Sequence, residues 1–423
     1  MDRPSNRLPL RQSLLIFLPF TFGYFLPYLY RSVNAVISPN LIEEFNLNAG
    51  DLGLLTAVYF LTFASLQIPI GILLDRFGPR RVNASLLIFA SLGAFVFSRA
   101  ETFHGLIIGR AFVGFGVAAC LMSSIKAFSI WFPKERLPEM TGRIMFVGGL
   151  GLISATAPVE FALSITGWRE IFFVLCFVTL VVSLIVLNLV PEGQSVESVE
   201  PIKEQFHAAL DVYKTPIFRR IALGTGLFQA FNMSVQGLWA GPWLSDVAGL
   251  ARGQVALHLL GLGIATMLGF LFWGALASRL SKYGVPTMLV LIWATVAYML
   301  LQLLLIFELT DLSWLIWIGW GFLGTSGSLA FSIISHSFPV SLTGRATTAV
   351  NLLVFVTAFV SQWLFGVILN QWDDSGQGYS AVGYIWAFSV FLILQLIAFV
   401  YMVRGYRTNC RLEDTDVCMK VES

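Results

Sequence analysis

The chain has 423 residues, 57% of them hydrophobic and 12% charged, whereas a soluble domain carries about 25% charged residues. That balance excludes a soluble globular protein and marks a membrane protein; the net charge of +2 says little, because where charges lie matters more than their sum. Cys120, Cys176, Cys410 and Cys418 show no metal-ligand spacing, so neither a metal site nor a disulfide is expected.

Apolar runs of roughly 20 residues, long enough to cross a bilayer as helices, recur along the whole chain. The predicted spans are 13–38, 51–74, 82–99, 103–131, 140–165, 169–190, 219–245, 254–280, 285–308, 311–338, 344–370 and 378–403. They define an all-α membrane protein with twelve transmembrane helices. The first continues as an ordinary span with no small-residue cleavage site after it, so it is not read as a signal peptide. Placing alternate connections on one side gathers Arg76, Arg80, Arg81, Arg136, Lys203 and Arg404 there with most other basic residues, and leaves only Arg99, Arg169 and Arg252 opposite. Basic connections face the cytoplasm, which predicts cytoplasmic termini and a multi-pass protein of the cell (inner) membrane.

The first predicted helix contains Arg31 within an apolar run, GYFLPYLYRSVNAVISPNL. An arginine at a helix centre costs about 2.5–3.5 kcal/mol on insertion scales, so it is expected to face a partner or a wet cavity. Asn34 and Ser38 follow at helical spacing and share its face; Tyr28 and Tyr30 flank it. This polar stripe around a cation reads as a binding site. The alternative is that Arg31 snorkels outward or pairs with Glu160.

After the second helix comes GILLDRFGPRR at 71–81. Gly71 is expected to permit close helix packing, Asp75 to pair with a helix end or an arginine, and Arg76, Arg80 and Arg81 to anchor the cytoplasmic face on lipid phosphate. The fourth helix holds Arg110, followed by Gly114, Gly116, Ala118 and Ala119, and then Lys126, five residues before Trp131-Phe132-Pro133. Lys126 either snorkels to the headgroups or joins Arg31 in one cavity; two cations there imply an anionic substrate. Glu160, beside Pro158 in the fifth helix, is the one carboxylate placed within a span away from its first or last two residues, either a proton carrier or a fixed ion-pair partner of Arg110 or Arg31.

The polar connection 191–218 divides the chain into bundles at 1–190 and 219–404, with a tail at 405–423. Internal repetition supports the division: GALASRLSKYG at 274–284 matches 71–81, and Thr-Gly-Arg recurs at 141–143 and 343–345. Ser278 replaces Asp75 in the second copy, so the gate is expected to be asymmetric. In the seventh helix Gln229, Asn232, Gln236 and Trp239 form one polar and aromatic face, suited to substrate contact or to hydrogen bonding between helices. Asn351 and Gln362 share a face of the eleventh, while His258 and His336 read as packed histidines.

Gly71, Asp75, Arg76, Gly78, Arg80 and Arg81 closely resemble the loop motif between helices two and three of the major facilitator superfamily, and Arg110 with its small residues resembles the fourth-helix motif. The resemblance covers the whole chain in helix count, repeat and motif placement. It implies two six-helix pseudo-repeats that alternate access to a site between them, with Gly71, Asp75, Arg76, Gly78, Arg80, Arg81 and Arg110 governing the conformational gate. Tyr28-x-x-Arg31 followed by Pro39 resembles the organic-anion branches, although Tyr30 and Val117 stand where the sugar-acid symporters carry acidic residues.

The combined reading is a monomeric secondary transporter of a small carboxylate. Arg31, Lys126, Tyr30, Tyr28, Asn34, Asn232, Gln236 and Trp239 would bind the solute, and protons would couple through Glu160. Lipid surrounds it, and no cofactor or nucleic acid is implied. The second reading is an efflux antiporter with Arg31 structural. No catalytic constellation argues for an enzyme.

Overall fold

The structure is a computed structural model that describes residues 10–133, 136–192, 212–338, 340–372 and 378–417. Among these every regular element is helical, the expected answer to lipid, where backbone polar groups must be satisfied within the segment. The first half comprises α1 (Leu10–Ser32), α2 (Asn34–Phe45), α3 (Ala49–Ser65), α4 (Gln67–Ser98), α5 (Phe103–Val117), α6 (Cys120–Trp131), α7 (Leu137–Ser154), α8 (Ala157–Leu163) and α9 (Trp168–Leu189). The second comprises α10 (Pro216–Ser234), α11 (Ala240–Asp246), α12 (Arg252–Ser281), α13 (Thr287–Ile306), α14 (Ser313–Gly324), α15 (Leu329–Ser337), α16 (Val340–Leu369) and α17 (Ala381–Val417).

Among the described residues ten stretches are long and apolar enough to cross a membrane, and α3 is a shorter apolar helix. The ten differ from the twelve predicted spans at two places. Span 51–74 is divided between α3 and the start of α4, and span 219–245 changes from α to π helix over Val235–Trp239. α17 runs on through the first part of the predicted tail, to Val417. Most of the predicted linker, 193–211, lies outside the described residues.

Local chemistry explains several boundaries. Asn48 and Asp51 cap α3 reciprocally: the Asp51 amide donates to Asn48 Oδ1 at 2.8 Å and the Asn48 amide to Asp51 Oδ2 at 3.3 Å, two otherwise orphaned donors satisfied. Within α4, Gly78 takes φ +76, a value at which a side chain is strained, and Pro79 then opens the following helical turn. The glycine of the loop motif is therefore a turn residue. Gly71 is different: it is exposed, and a Cβ there would meet open space. The close helix packing expected of it is not present.

Cross-half packing runs chiefly through α3 and α4 against α16, α7 and α8 against α12, and α2 against the π turn and α11. Aromatic clusters fill each half. Phe97 lies 4.2 Å from Phe172, and Phe231 stacks on Phe391 at 4.5 Å among Trp320, Phe365 and Phe388. Outward, Val174, Phe177 and Val181 on α9, Trp293 and Leu300 on α13, and Ile393 and Ile397 on α17 are all exposed. Such an apolar girdle is far beyond what water tolerates and is the face that lipid covers.

Candidate functional site

Breaks interrupt several of the inner helical paths: Val33 between α1 and α2, Ala118-Ala119 between α5 and α6, Ala155-Thr156 between α7 and α8, the π turn, and the 3-10 turn Thr325–Ser328 between α14 and α15. Arg31 sits at the first of these. Its half-buried guanidinium lies over the Tyr28 ring, 4.6 Å from the centroid, and its stem lies against the π turn, where a Cβ on Gly237 would be 3.9 Å from Arg31 Cγ. Among the described residues no carboxylate lies within ion-pair distance of Arg31, and its buried Nε has no hydrogen-bond partner. A charged donor at the seam between the halves is thus left with capacity to spare.

Arg110 prepares this position. It is wholly buried, donates from Nη1 to the Tyr30 carbonyl at 2.8 Å, and lies over the rings of Tyr59 and Phe97. The carbonyl it binds belongs to the residue preceding Arg31, just before the Val33 break. Tyr59 adds a bond from its hydroxyl to the Pro27 carbonyl at 3.0 Å. Arg110 was expected to serve the cytoplasmic gate; the structure instead ties it to the backbone that carries Arg31.

Other predicted residues are placed differently. Tyr30 points away from the seam, its hydroxyl 2.8 Å from Thr179 Oγ1 and donating to the Leu175 carbonyl at 3.2 Å; with its flat ring fully buried against Phe172, it is a packing residue. Asn34 donates to Thr56 Oγ1 at 3.0 Å and is buried. Lys126 corrects the shared-cavity expectation. Its Nζ is 2.8 Å from Asp75 Oδ1, and nearby Ser124 contacts the Phe20 carbonyl, 11 residues and about 16 Å of helix from Arg31. Lys126 thus serves the loop motif. There too Arg80 donates to the Val190 carbonyl at 3.2 Å, Arg81 pairs with Glu192, and Arg76 lies over the ring of Phe77.

Glu160 has neither partner foreseen for it. Arg252 of α12 approaches its Oε1 at 3.2 Å through Nε and reaches Asn40 Oδ1 at 2.9 Å through Nη2. Among the described residues this is the one ion pair that links the halves. It borders a cavity of about 350 Å³ whose walls include Ser38, Pro39, Asp246, Leu259 and Tyr379. Asn370 reinforces the same end with a bond to Asn48 Oδ1 at 2.8 Å.

In the second half, Gln236 donates to Thr266 Oγ1 at 2.7 Å, and Trp239 donates to the Gln362 carbonyl at 3.2 Å while stacking on Phe365. The turned amide of Gln362 donates to Ser234. Asn232 is buried with its Oδ1 unpartnered against Gly324. Asn351 bonds Gln67 across the halves at 2.5 Å, so it and Gln362 do not act together. His258 is buried between the Gln254 carbonyl and Ser313, as a packed histidine should be; the side chain of His336 lies outside the described residues. Sequence reading missed Arg252 and Thr266 as partners, because long-range pairing leaves no local pattern.

The sequence profile of the Major Facilitator Superfamily matches residues 20–362. The chain belongs to that superfamily. It is therefore a multi-pass membrane transporter and not an enzyme. Over 272 residues it is 26% identical to a probable sulfoacetate transporter of Cupriavidus necator, covering 61% of this chain and 63% of that protein. Over 154 residues it is 27% identical to the hexuronate transporter of Escherichia coli K12, covering 36% of each chain. These matches span less than two thirds of either relative. Among solved structures, a bacterial homologue of the human lysosomal transporter Spinster, inward-facing and occupied, superposes with TM-score 0.75 at 18% identity over 95% of this chain and 98% of that one. A D-xylose-proton symporter gives 0.72 at 16% identity, with 92% and 97% covered. Both likenesses concern the fold.

Proposed function

We propose that this protein is a secondary transporter that carries a small organic carboxylate by alternating access of its two halves, with Arg31 as the anion-binding residue. The observation that carries the reading is a guanidinium at the seam of the halves that has no carboxylate partner among the described residues and a buried Nε without a hydrogen bond. An uncompensated cation there is costly, and an anionic solute offsets the cost while crossing. The relatives named for sulfoacetate and hexuronate support the substrate class. Thermal-shift measurements on purified protein test it. Galactonate, glucuronate or sulfoacetate should stabilise the protein while cationic amphiphiles do not; stabilisation by the cations alone would transfer the protein to the efflux reading.

In this reading the path makes twelve crossings. α3 with α4 up to Gly78 forms the second, α4 beyond Pro79 the third, and α10 through α11 the seventh. Basic loops then place both termini and the Asp75 end in the cytoplasm, and the Glu160–Arg252 end outside. Packing at that outer end matches an inward-facing state.

Proton coupling through Glu160 is part of the same proposal, and the outer ion pair supports it. A proton on Glu160 removes the charge that holds Arg252 and so favours opening to the outside, where solute enters. Solvent-facing pairs contribute about 0.2–1 kcal/mol, so Glu160→Gln is expected to shift the ratio of outward-open to outward-closed protein by about 1.4- to fivefold. The same variant should lose the acceleration of solute uptake by external acid. Uptake by Glu160→Gln that remains acid-stimulated would place the proton elsewhere.

A further inference from the structure

Gly148 lies in α7, opposite the residue that holds Arg31 in place. A Cβ at Gly148 would be 2.9 Å from Tyr28 Cε2 and 2.9 Å from Tyr24 Cε1, closer than carbon atoms approach without something moving. Three residues on, Gly151 brings α7 against the Phe25 carbonyl, with Tyr28 Cβ 3.3 Å from a built Cβ. α7 therefore provides a bare strip into which the two tyrosine rings fit. They pack edge to face with centroids 5.4 Å apart, and the Tyr24 hydroxyl lies 3.4 Å from that of Tyr28 and 3.5 Å from Met145 Sδ. Tyr28 then presents its face to the Arg31 guanidinium at 4.6 Å.

We infer that Gly148 is a positioning residue for the anion site, setting the direction of the Arg31 guanidinium through the placement of the Tyr28 ring. Three links carry it: the space at Gly148 fixes the ring, the ring fixes the cation by a cation–π contact, and among the described residues no carboxylate fixes the cation instead. The inference rests on the reading of Arg31 as the anion-binding residue. Neighbouring Gly142 provides a contrast within the same helix, since a Cβ there meets nothing within 4 Å.

The test is a double-mutant cycle read by the affinity of purified protein for D-glucuronate, D-galactonate and sulfoacetate, with ligand-free unfolding temperature recorded for every variant. Displacing the ring removes a cation–π contact that orients the guanidinium, so Gly148→Ala should loosen binding by about fivefold, while Gly142→Ala binds as wild type. In a Tyr28→Ala background the further change Gly148→Ala should have no effect on affinity, because the ring it displaces is gone. Gly148→Ala that binds as wild type overturns the inference. So does a loss that persists undiminished with Tyr28→Ala, since the effect would then bypass the ring. If Gly148→Ala fails to fold, Tyr28→Leu tests the same link and should loosen binding by a similar factor; unchanged affinity overturns it. Arg31→Ala separates the two levels: wild type and Arg31→Ala that bind equally well, or wild type that binds none of the three anions, overturn the anion reading and this assignment with it.

Discussion

Replacing Arg31 by alanine should weaken binding of an organic carboxylate by about 10- to 150-fold. Hydrogen bonds to charged groups contribute about 1.5–3 kcal/mol, and each 1.4 kcal/mol is a factor of ten in affinity. Among the described residues the other buried or inter-half cations are already engaged, Arg110 on the Tyr30 carbonyl, Lys126 on Asp75 and Arg252 on Glu160, so none replaces the lost charge. Arg31→Lys should recover only part of the loss, because an ammonium lacks the planar fork that matches a carboxylate. The contrast is Lys126→Ala, which removes a residue about 16 Å away along the bundle and should leave affinity within about twofold of wild type. Isothermal titration with D-glucuronate and the other two anions distinguishes these cases. Equal losses from Arg31→Ala and Lys126→Ala would restore a shared cationic cavity; no loss from Arg31→Ala would leave the arginine with a structural role.

What was legible in the sequence is what a single residue announces by its cost. Arg31 drew attention because a guanidinium is expensive in hydrocarbon. Gly78 was legible as part of a motif, although its positive φ, the physical reason for it, emerged only from the backbone. The ion pairs were not legible. Lys126 and Asp75 lie 51 residues apart, and Glu160 and Arg252 lie 92 apart, so nothing local marks either as a pair. Tyr30 and Asn34 share the apparent polar stripe with Arg31, but the interruption at Val33 and packing on all sides of the first helical path send each to a different neighbour. The helix breaks escaped for a related reason: Ala118-Ala119 and the π turn sit in sequence that is as apolar as the helices they interrupt. Hydropathy measures the solvent, and the solvent is the same on both sides of a break.

Bulk at Gly241 should stop the transport cycle while leaving each half folded. A Cβ there would be 2.5 Å from the Ala35 carbonyl oxygen, and the three nearest atoms it meets all belong to that first-half residue. Glycine thus lets α11 lie directly on the backbone of α2, at the end of the bundle that the Glu160–Arg252 pair also closes. Gly366 makes the corresponding approach to the Ala49 carbonyl, although its added Cβ would also meet Trp239 of its own half, so Gly241 is the cleaner probe. Overpacking costs about 1–3 kcal/mol, and the two states of a transporter differ by only a few kcal/mol. Gly241→Leu is therefore expected to move the closed-to-open ratio of this end by about 5- to 150-fold, and net uptake should fall with it. Ser38, 1% exposed beside the cavity, reports the change. A Ser38→Cys side chain, in a chain freed of its other reactive thiols, should be labelled by a membrane-impermeant maleimide much faster when Gly241→Leu is present. The direction of the effect is diagnostic. Faster labelling with the unfolding temperature retained means that the halves have parted where the two backbones meet, whereas unchanged labelling and normal uptake would mean that this contact is not made in the cycle.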